Sequence, residues 1–144
     1  MIINQIKKIN KEAFLEFKNK YIDYLSSEDY HVHYLDGKLI KVRKDYLLYF
    51  KDVYNFPNYY NSKSIDAFID CMQDLDFWDD KQGFVIVIYN YSEFLDGMEN
   101  EKELFNSALK SIAYYLEKEC LTTSGGRNRL KSFDVYLIDE EIDM

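Results

Sequence analysis

The stretch Phe84-Val85-Ile86-Val87-Ile88-Tyr89 decides the fold class. Its apolar and aromatic residues follow one another without a polar residue between them, whereas a strand with one face in water alternates apolar and polar residues. An unbroken apolar run of this length is typical of a strand buried on both faces in a parallel sheet covered by helices. The sequence therefore predicts an α/β domain built around this strand.

Two further strands are predicted, one on each side of this stretch in the sequence. Tyr30, Val32 and Tyr34 alternate with other residues up to Asp36-Gly37, a turn signal that also allows a short hairpin into residues 39–42. Residues 133–138, FDVYLI, form the last predicted strand. With helical patterns between the strands, we expect a three-stranded parallel sheet with right-handed crossovers and flanking helices.

An extra helix is predicted before this α/β unit, over residues 6–25. Asn10 is suited to cap its main body, and its apolar residues recur at intervals of three and four: Ile6, Ile9, Ala13, Phe14, Phe17, Tyr21 and Leu25. We expect the face that carries Ile6, Phe14, Phe17 and Tyr21 to pack on the domain as an added layer.

Three more helices follow the first strand. Asp45 is predicted to cap a short helix over residues 46–54 that Pro57, the only proline, must end. Ser64 is predicted to cap a helix with the apolar stripe Ile65, Phe68, Ile69, Met72 and Leu75. Asn100 with Glu103 predicts the start of a long helix through Glu119, and a polar loop over residues 122–131 leads to the last strand.

Length and charge limit the classes of function. A chain of 144 residues is predicted to form one domain, residues 1–144. Its net charge of −8 repels phosphate backbones and anionic membranes, so we expect no direct nucleic-acid or membrane partner. No signal-peptide core and no run of about 18 apolar residues is present, which predicts a cytoplasmic protein.

The residues that could support catalysis or metal binding do not form a recognisable motif. His31 and His33 share one strand face but lack further ligands, and the aspartates of residues 74–80 lack the glycine and glutamate of a calcium loop. The glycine-rich residues 124–127 follow a helix, the reverse of a phosphate-binding loop. Cys71 and Cys120 are expected to be reduced core thiols. We therefore predict no enzyme, no cofactor and no metal.

Asp66, Asp70 and Asp74 repeat at four-residue intervals along the predicted helix that begins after Ser64. Like charges at this spacing repel one another by a few tenths of a kcal/mol per pair, about 0.2–0.5. Two interpretations account for such a stripe. It is either a solvated outer face or a surface that awaits a positively charged partner.

The stretch that contains this stripe resembles a known family. This stretch is similar to the inhibitory segment of the barstar-like family in three pieces: Phe56-Pro57-x-Tyr59-Tyr60, a polar turn, and Asp66-Ala67-x-x-Asp70-Cys71. Members of this family are intracellular inhibitors of secreted ribonucleases. The order of predicted elements from about residue 30 to residue 138 is also similar, which implies a barstar-like core over residues 30–138 and an N-terminal extension over residues 1–29. The resemblance implies a small parallel α/β fold and an acidic surface that occludes the active site of a ribonuclease.

The resemblance also implies which residues bind. Tyr59, Asp66 and Asp70 match family positions that contact the ribonuclease; the full set of expected partner-binding residues is Tyr59, Tyr60, Ser62, Asp66, Ile69, Asp70, Asp74 and Glu117. Asn61 stands where the family commonly has glycine, and Ile69 where it has tryptophan, which favours a ribonuclease other than barnase.

The function implied is that of an immunity protein, a monomer or 1:1 heterodimer with a cognate basic ribonuclease toxin. The alternative is a non-inhibitory interaction module with a barstar-like fold, which would bind another partner through His31, His33 and neighbouring tyrosines.

Overall fold

The computed structural model describes residues 4–25, 29–57, 60, 63–74, 82–119 and 132–142. The predicted polar loop over residues 122–131, the thiol of Cys120 and the aspartates after Asp74 lie outside the described residues.

The described strands form one parallel sheet. They are β1 (Gln5–Lys8), β2 (Tyr30–Asp36), β3 (Gly83–Tyr89) and β4 (Ser132–Leu137), in the spatial order β1-β4-β3-β2. Val85 of β3 lies between Val32 of β2 and Asp134 of β4, and Ile6 of β1 pairs with Val135. The predicted parallel α/β architecture is confirmed, but the sheet has four strands and the prediction of three was wrong.

Strand β1 is the element that the sequence did not predict, since residues 6–10 were assigned to a helix. Over four residues the period of a strand cannot be told from that of a helix, and Ile6 and Ile9 happen to continue the helical spacing. Residues 5–9 form a strand because they pair with the backbone groups at the open edge of β4. For example, the N–H of Ile9 donates to the carbonyl of Leu137 at 3.0 Å.

The first helix, α1 (Lys11–Lys20), begins where Asn10 was predicted to cap it. The Asn10 side chain accepts a hydrogen bond from the N–H of Ala13 at 2.8 Å. A short 3-10 turn, Ile22–Tyr24, follows. The helix is therefore shorter at both ends than the predicted residues 6–25.

Helices cover both faces of the sheet, so the fold has three layers. One face packs against α2 (Arg43–Tyr54), α3 (Ile65–Gln73) and α4 (Glu99–Tyr114), and residues 84, 86 and 88 of β3 point to it. The other face packs against α1, and residues 85 and 87 point there. Alternate residues of β3 thus enter different cores, which explains the unbroken apolar run.

The expected added layer is confirmed in part. Phe14 is fully buried against the second face. Phe17 packs beside it, and the Phe17 ring lies 5.2 Å from the ring of Tyr136. Tyr21 is 49% exposed, although its ring lies against that of Phe17. Ile6 belongs to β1 and packs into the opposite core, so its assignment to this layer was wrong.

The segment between β2 and α2 is a turn and not a hairpin. The Asp36 side chain accepts a hydrogen bond from the N–H of Lys38 and starts a 3-10 turn over Gly37–Leu39. At Gly37 a Cβ atom would collide with the backbone carbonyl of Asn90, which explains the glycine. No residue with a side chain fits this close approach of two backbone segments.

Two predicted helix caps were misplaced. Asp45 lies inside the first turn of α2 and accepts hydrogen bonds from the N–H groups of residues 41 and 42. Asn100 lies inside α4, which begins at Glu99 and continues into a π-helical turn, Tyr115–Glu119. As predicted, α2 ends before Pro57, with Asn55 in the left-handed conformation at φ 55°.

Candidate protein-binding site on helix α3

Helix α3 is fixed in place by its cap and its buried face. The Ser64 hydroxyl oxygen accepts a hydrogen bond from the N–H of Ala67 at 3.2 Å, as predicted. Phe68 and Met72 are fully buried, and the Phe68 ring lies 5.1 Å from that of Phe50 on α2. Because these contacts fix the rotation of α3, they also fix which residues face the solvent.

The acidic residues of α3 lie on its exposed side. Asp66 and Asp70 are exposed in the first two turns, and Asp74 is the exposed C-cap residue, whose N–H donates to the Asp70 carbonyl at 3.0 Å. The three side chains follow one another along the helix surface, as their spacing predicted. They form what we call the acidic stripe: Asp66, Asp70 and Asp74.

The stripe influences the one cysteine that the structure describes. Burial raises the pKa of the Cys71 thiol, and the nearby carboxylates of Asp74 and Asp70 raise it further. Cys71 is thus a protonated core thiol, in agreement with the sequence analysis, and not an activated nucleophile.

Two other predicted contact residues lie at or below this surface. Ile69 is half-buried against the main core, beside the stripe. Tyr60 is only 7% exposed; its hydroxyl donates to the carbonyl of Leu47 at 3.3 Å and its ring packs on Phe56. Burial raises the pKa of Tyr60 well above its ordinary value. Tyr60 therefore anchors the segment before α3 in the core, while Tyr59 and Ser62 lie outside the described residues.

Glu117 lies in the π-helical turn after α4 and binds the N-terminal segment. Its carboxylate accepts a hydrogen bond from the N–H of Asn4 at 3.1 Å. The Asn4 side chain donates to the carbonyl of Ala113 at 2.8 Å and accepts from the N–H of Phe133 at 2.9 Å. Asn4 thus joins the end of α4 to β4, a role that sequence reasoning missed because its partners are more than 100 positions away.

The two histidines point into the core, on the same face of β2 as predicted. Their rings stack 5.4 Å apart, and His31 also stacks on Phe84 at 5.5 Å. Burial, and then the proximity of His31, lowers the pKa of His33 to about 4, so this ring is neutral at neutral pH. Within the described residues, no group of three or more His, Cys, Asp or Glu side chains could hold a metal ion.

None of the helices in the described part of the chain is long and apolar enough to cross a membrane.

The fold agrees with the comparison with protein families. A family model described as Barstar (barnase inhibitor) matches residues 30–137, well over half of the chain. The chain belongs to the Barstar family, whose members are ribonuclease inhibitors and not enzymes. The match begins at the first residue of β2, so β1 and α1 precede it. A search of curated proteins found no significant match.

Proposed function

We propose that this chain is an immunity protein that inhibits a cognate basic ribonuclease toxin in the cytoplasm, in a 1:1 complex. The observation that carries the proposal is the exposed position of Asp66 and Asp70 on α3, within a chain of the Barstar family. In this proposal the two carboxylates enter the active-site cleft of the enzyme and take the places of RNA phosphates. Asp74 and Ile69 border the contact, and Tyr59 and Ser62 extend it.

Electrostatics supports the proposal independently of the family. A ribonuclease binds a polyanion and therefore presents a basic cleft, while this chain has a net charge of −8. Opposite potentials accelerate encounter and suppress wrong partners. The exposed carboxylates of α3 present this negative charge on a helix whose rotation is fixed by Ser64 and Phe68.

Two further residues take structural places in this proposal. Glu117 accepts a hydrogen bond from the N–H of Asn4 at the end of α4, and the Tyr60 hydroxyl donates to the carbonyl of Leu47 in the core. The histidine surface of the alternative module gains no support, because His31 and His33 pack against aromatic rings.

The test is to capture the ribonuclease partner from cells that make this chain and to measure its inhibition with Asp70→Ala. Asp70 is mid-helix and exposed, so its replacement should leave the melting temperature unchanged. We expect the affinity to fall by about 2 to 5 kcal/mol, the range for truncating one partner of a buried interfacial charge pair, to which measurements on a barstar complex have themselves contributed.

Glu12→Ala is the matched control. Glu12 is exposed on α1, on the opposite face of the sheet, and its loss changes the net charge by the same single unit. The control should inhibit like the parent protein. An Asp70→Ala variant that folds and binds within about threefold of the parent, a difference of about 0.7 kcal/mol, would exclude the proposed mechanism.

A further inference from the structure

A pocket of about 340 Å³ opens between the carboxyl end of β2 and the first half of α2. Its walls are Tyr34, Leu35, Asp36, Leu39, Ile40, Asp45, Leu48, Tyr49 and Tyr89. Helix α2 separates it from the acidic stripe, because Tyr46 and Phe50 of α2 face Phe68 of α3, whereas Leu48 and Tyr49 line the pocket. The pocket is therefore separate from the acidic stripe.

Three tyrosines give the pocket an aromatic lining with hydroxyl groups. The Tyr49 hydroxyl donates to the backbone carbonyl of Tyr34 at 3.3 Å. Burial raises the pKa of Tyr49 to about 12 and also raises those of Tyr34 and Tyr89, so all three hydroxyls are protonated at neutral pH. Neutral tyrosine rings attract cations through their quadrupole.

Two carboxylates complete the lining. Asp36 Oδ1 accepts hydrogen bonds from the N–H of Lys38 and from Asn90 Nδ2, and Asp45 Oδ2 accepts two from backbone N–H groups. Within the described residues, no hydrogen bond is donated to the other oxygen of either carboxylate. The Lys38 ammonium is paired with Glu141 at 2.8 Å. Both aspartates are thus held in position and retain capacity to accept from a ligand.

The rim of the pocket is apolar and open to solvent. Leu39, which lines the pocket, is 70% exposed, and Val42, which comes just before α2 in the chain, is 46% exposed. A pocket of this volume lies at the small end of ligand-binding cavities and accommodates one long side chain more readily than a larger molecule. The apolar rim can contact the methylene stem of such a side chain while the carboxylates and tyrosines contact its charged end.

We propose that this pocket binds a lysine side chain presented by a basic protein segment that runs over Leu39 and Val42. The combination of an apolar rim, tyrosine rings and two carboxylates matches a flexible apolar stem that ends in a positive charge. The proposal does not depend on ribonuclease inhibition, since no residue of the acidic stripe lines the pocket.

The experiment is an NMR titration of the full chain with N-acetyl-lysine-N-methylamide. The uncharged norleucine diamide and n-pentylammonium are titrated in parallel. We expect weak binding of the lysine compound, with amide shifts at Leu39, Asp45 and Tyr49, and an affinity about tenfold higher than that of the norleucine compound. A shift pattern elsewhere, or equal affinity for norleucine, would overturn the proposal. Equal affinity for n-pentylammonium would assign the pocket to free amines and overturn the choice of a protein partner.

Leu39→Lys provides the matched perturbation, because it places a cation at the rim of the pocket on an exposed position. Leu104→Lys is its control, since Leu104 is 45% exposed on α4 and does not line the pocket. Binding of the lysine compound should weaken at least tenfold in the first variant and stay unchanged in the second. Undiminished binding by a folded Leu39→Lys variant would remove the pocket as the site.

Discussion

Folding disfavours the charged form of the Asp134 side chain. Replacing Asp134 is therefore a direct test of how the N-terminal segment packs on β4. It lies on β4 between β1 and β3, on the face that α1 covers. Its one described hydrogen bond comes from the N–H of Gln5, at a long 3.3 Å. Burial raises the pKa of Asp134 from 3.8 to about 6, and the Gln5 hydrogen bond offsets only part of this effect.

The sign and size of the effect follow from proton linkage. Since the pKa is higher in the folded state, the folded state binds more protons between about pH 4 and pH 6, and stability falls as the pH rises through that window. At 1.36 kcal/mol per pH unit the full difference corresponds to about 3 kcal/mol. The side chain is partly exposed, and solvent screening reduces the expected cost at neutral pH to about 1 to 2 kcal/mol.

Asp134→Asn should therefore stabilise the protein at pH 7.5 by about 1 to 2 kcal/mol, measured by urea denaturation. The amide oxygen can still accept from the Gln5 N–H, so this hydrogen bond is kept while the charge is removed. The advantage should shrink as the pH falls from 7 towards 4. Asp96→Asn, at an exposed turn position, should show neither effect. If Asp134→Asn is as stable as the parent or less stable at pH 7.5, the ionised carboxylate does not destabilise the folded state and this prediction is wrong.

Three further outcomes are expected. Phe14→Ala should lower the free energy of unfolding by about 3 to 5 kcal/mol, because Phe14 is fully buried, whereas Tyr24→Ala at an 81% exposed position should be near neutral in the same urea assay. Glu101→Gln should lower the free energy of unfolding by about 2 kcal/mol at pH 7, because it removes charged hydrogen bonds with Arg43 and Tyr46. These bonds lower the pKa of Glu101, so the loss of stability should shrink below pH 4.5. A loss of stability that does not change with pH would contradict this. The association rate with the ribonuclease should fall steeply with added salt, since screening acts beyond about 8 Å at physiological ionic strength, and stopped-flow rates independent of salt would exclude electrostatic steering.

Local signals predicted the parts of the fold that depend on neighbouring residues. The Asn10 and Ser64 caps, the end of α2 before Pro57 and the doubly buried β3 each rest on a few adjacent residues, and the structure shows all of them. Strand β1 could not be predicted this way. Its stability comes from pairing with β4, about 130 positions later, and its four residues carry no pattern of their own.

The candidate site shows the same division between local and distant information. The spacing of Asp66, Asp70 and Asp74 predicted a common helix face, and their exposure agrees with it. The spacing of residues could not predict the contacts of Tyr60 and Glu117. Tyr60 binds Leu47 and Glu117 binds Asn4, and neither partner is a near neighbour in the sequence. The pocket beside α2 was missed for a related reason, since its tyrosines come from three separate elements.

The segment before the family match supports the rest of the domain from one edge. Without β1, strand β4 would present a row of unpaired N–H and C=O groups, the arrangement that favours aggregation. Asn4, just ahead of β1, bonds the last turns of α4 and the start of β4 together. Because α4 packs against α3, this edge also limits how far the helix that carries the acidic stripe can shift. If Asp66 and Asp70 bind a ribonuclease as proposed, this N-terminal support helps to hold them in place before the partner arrives.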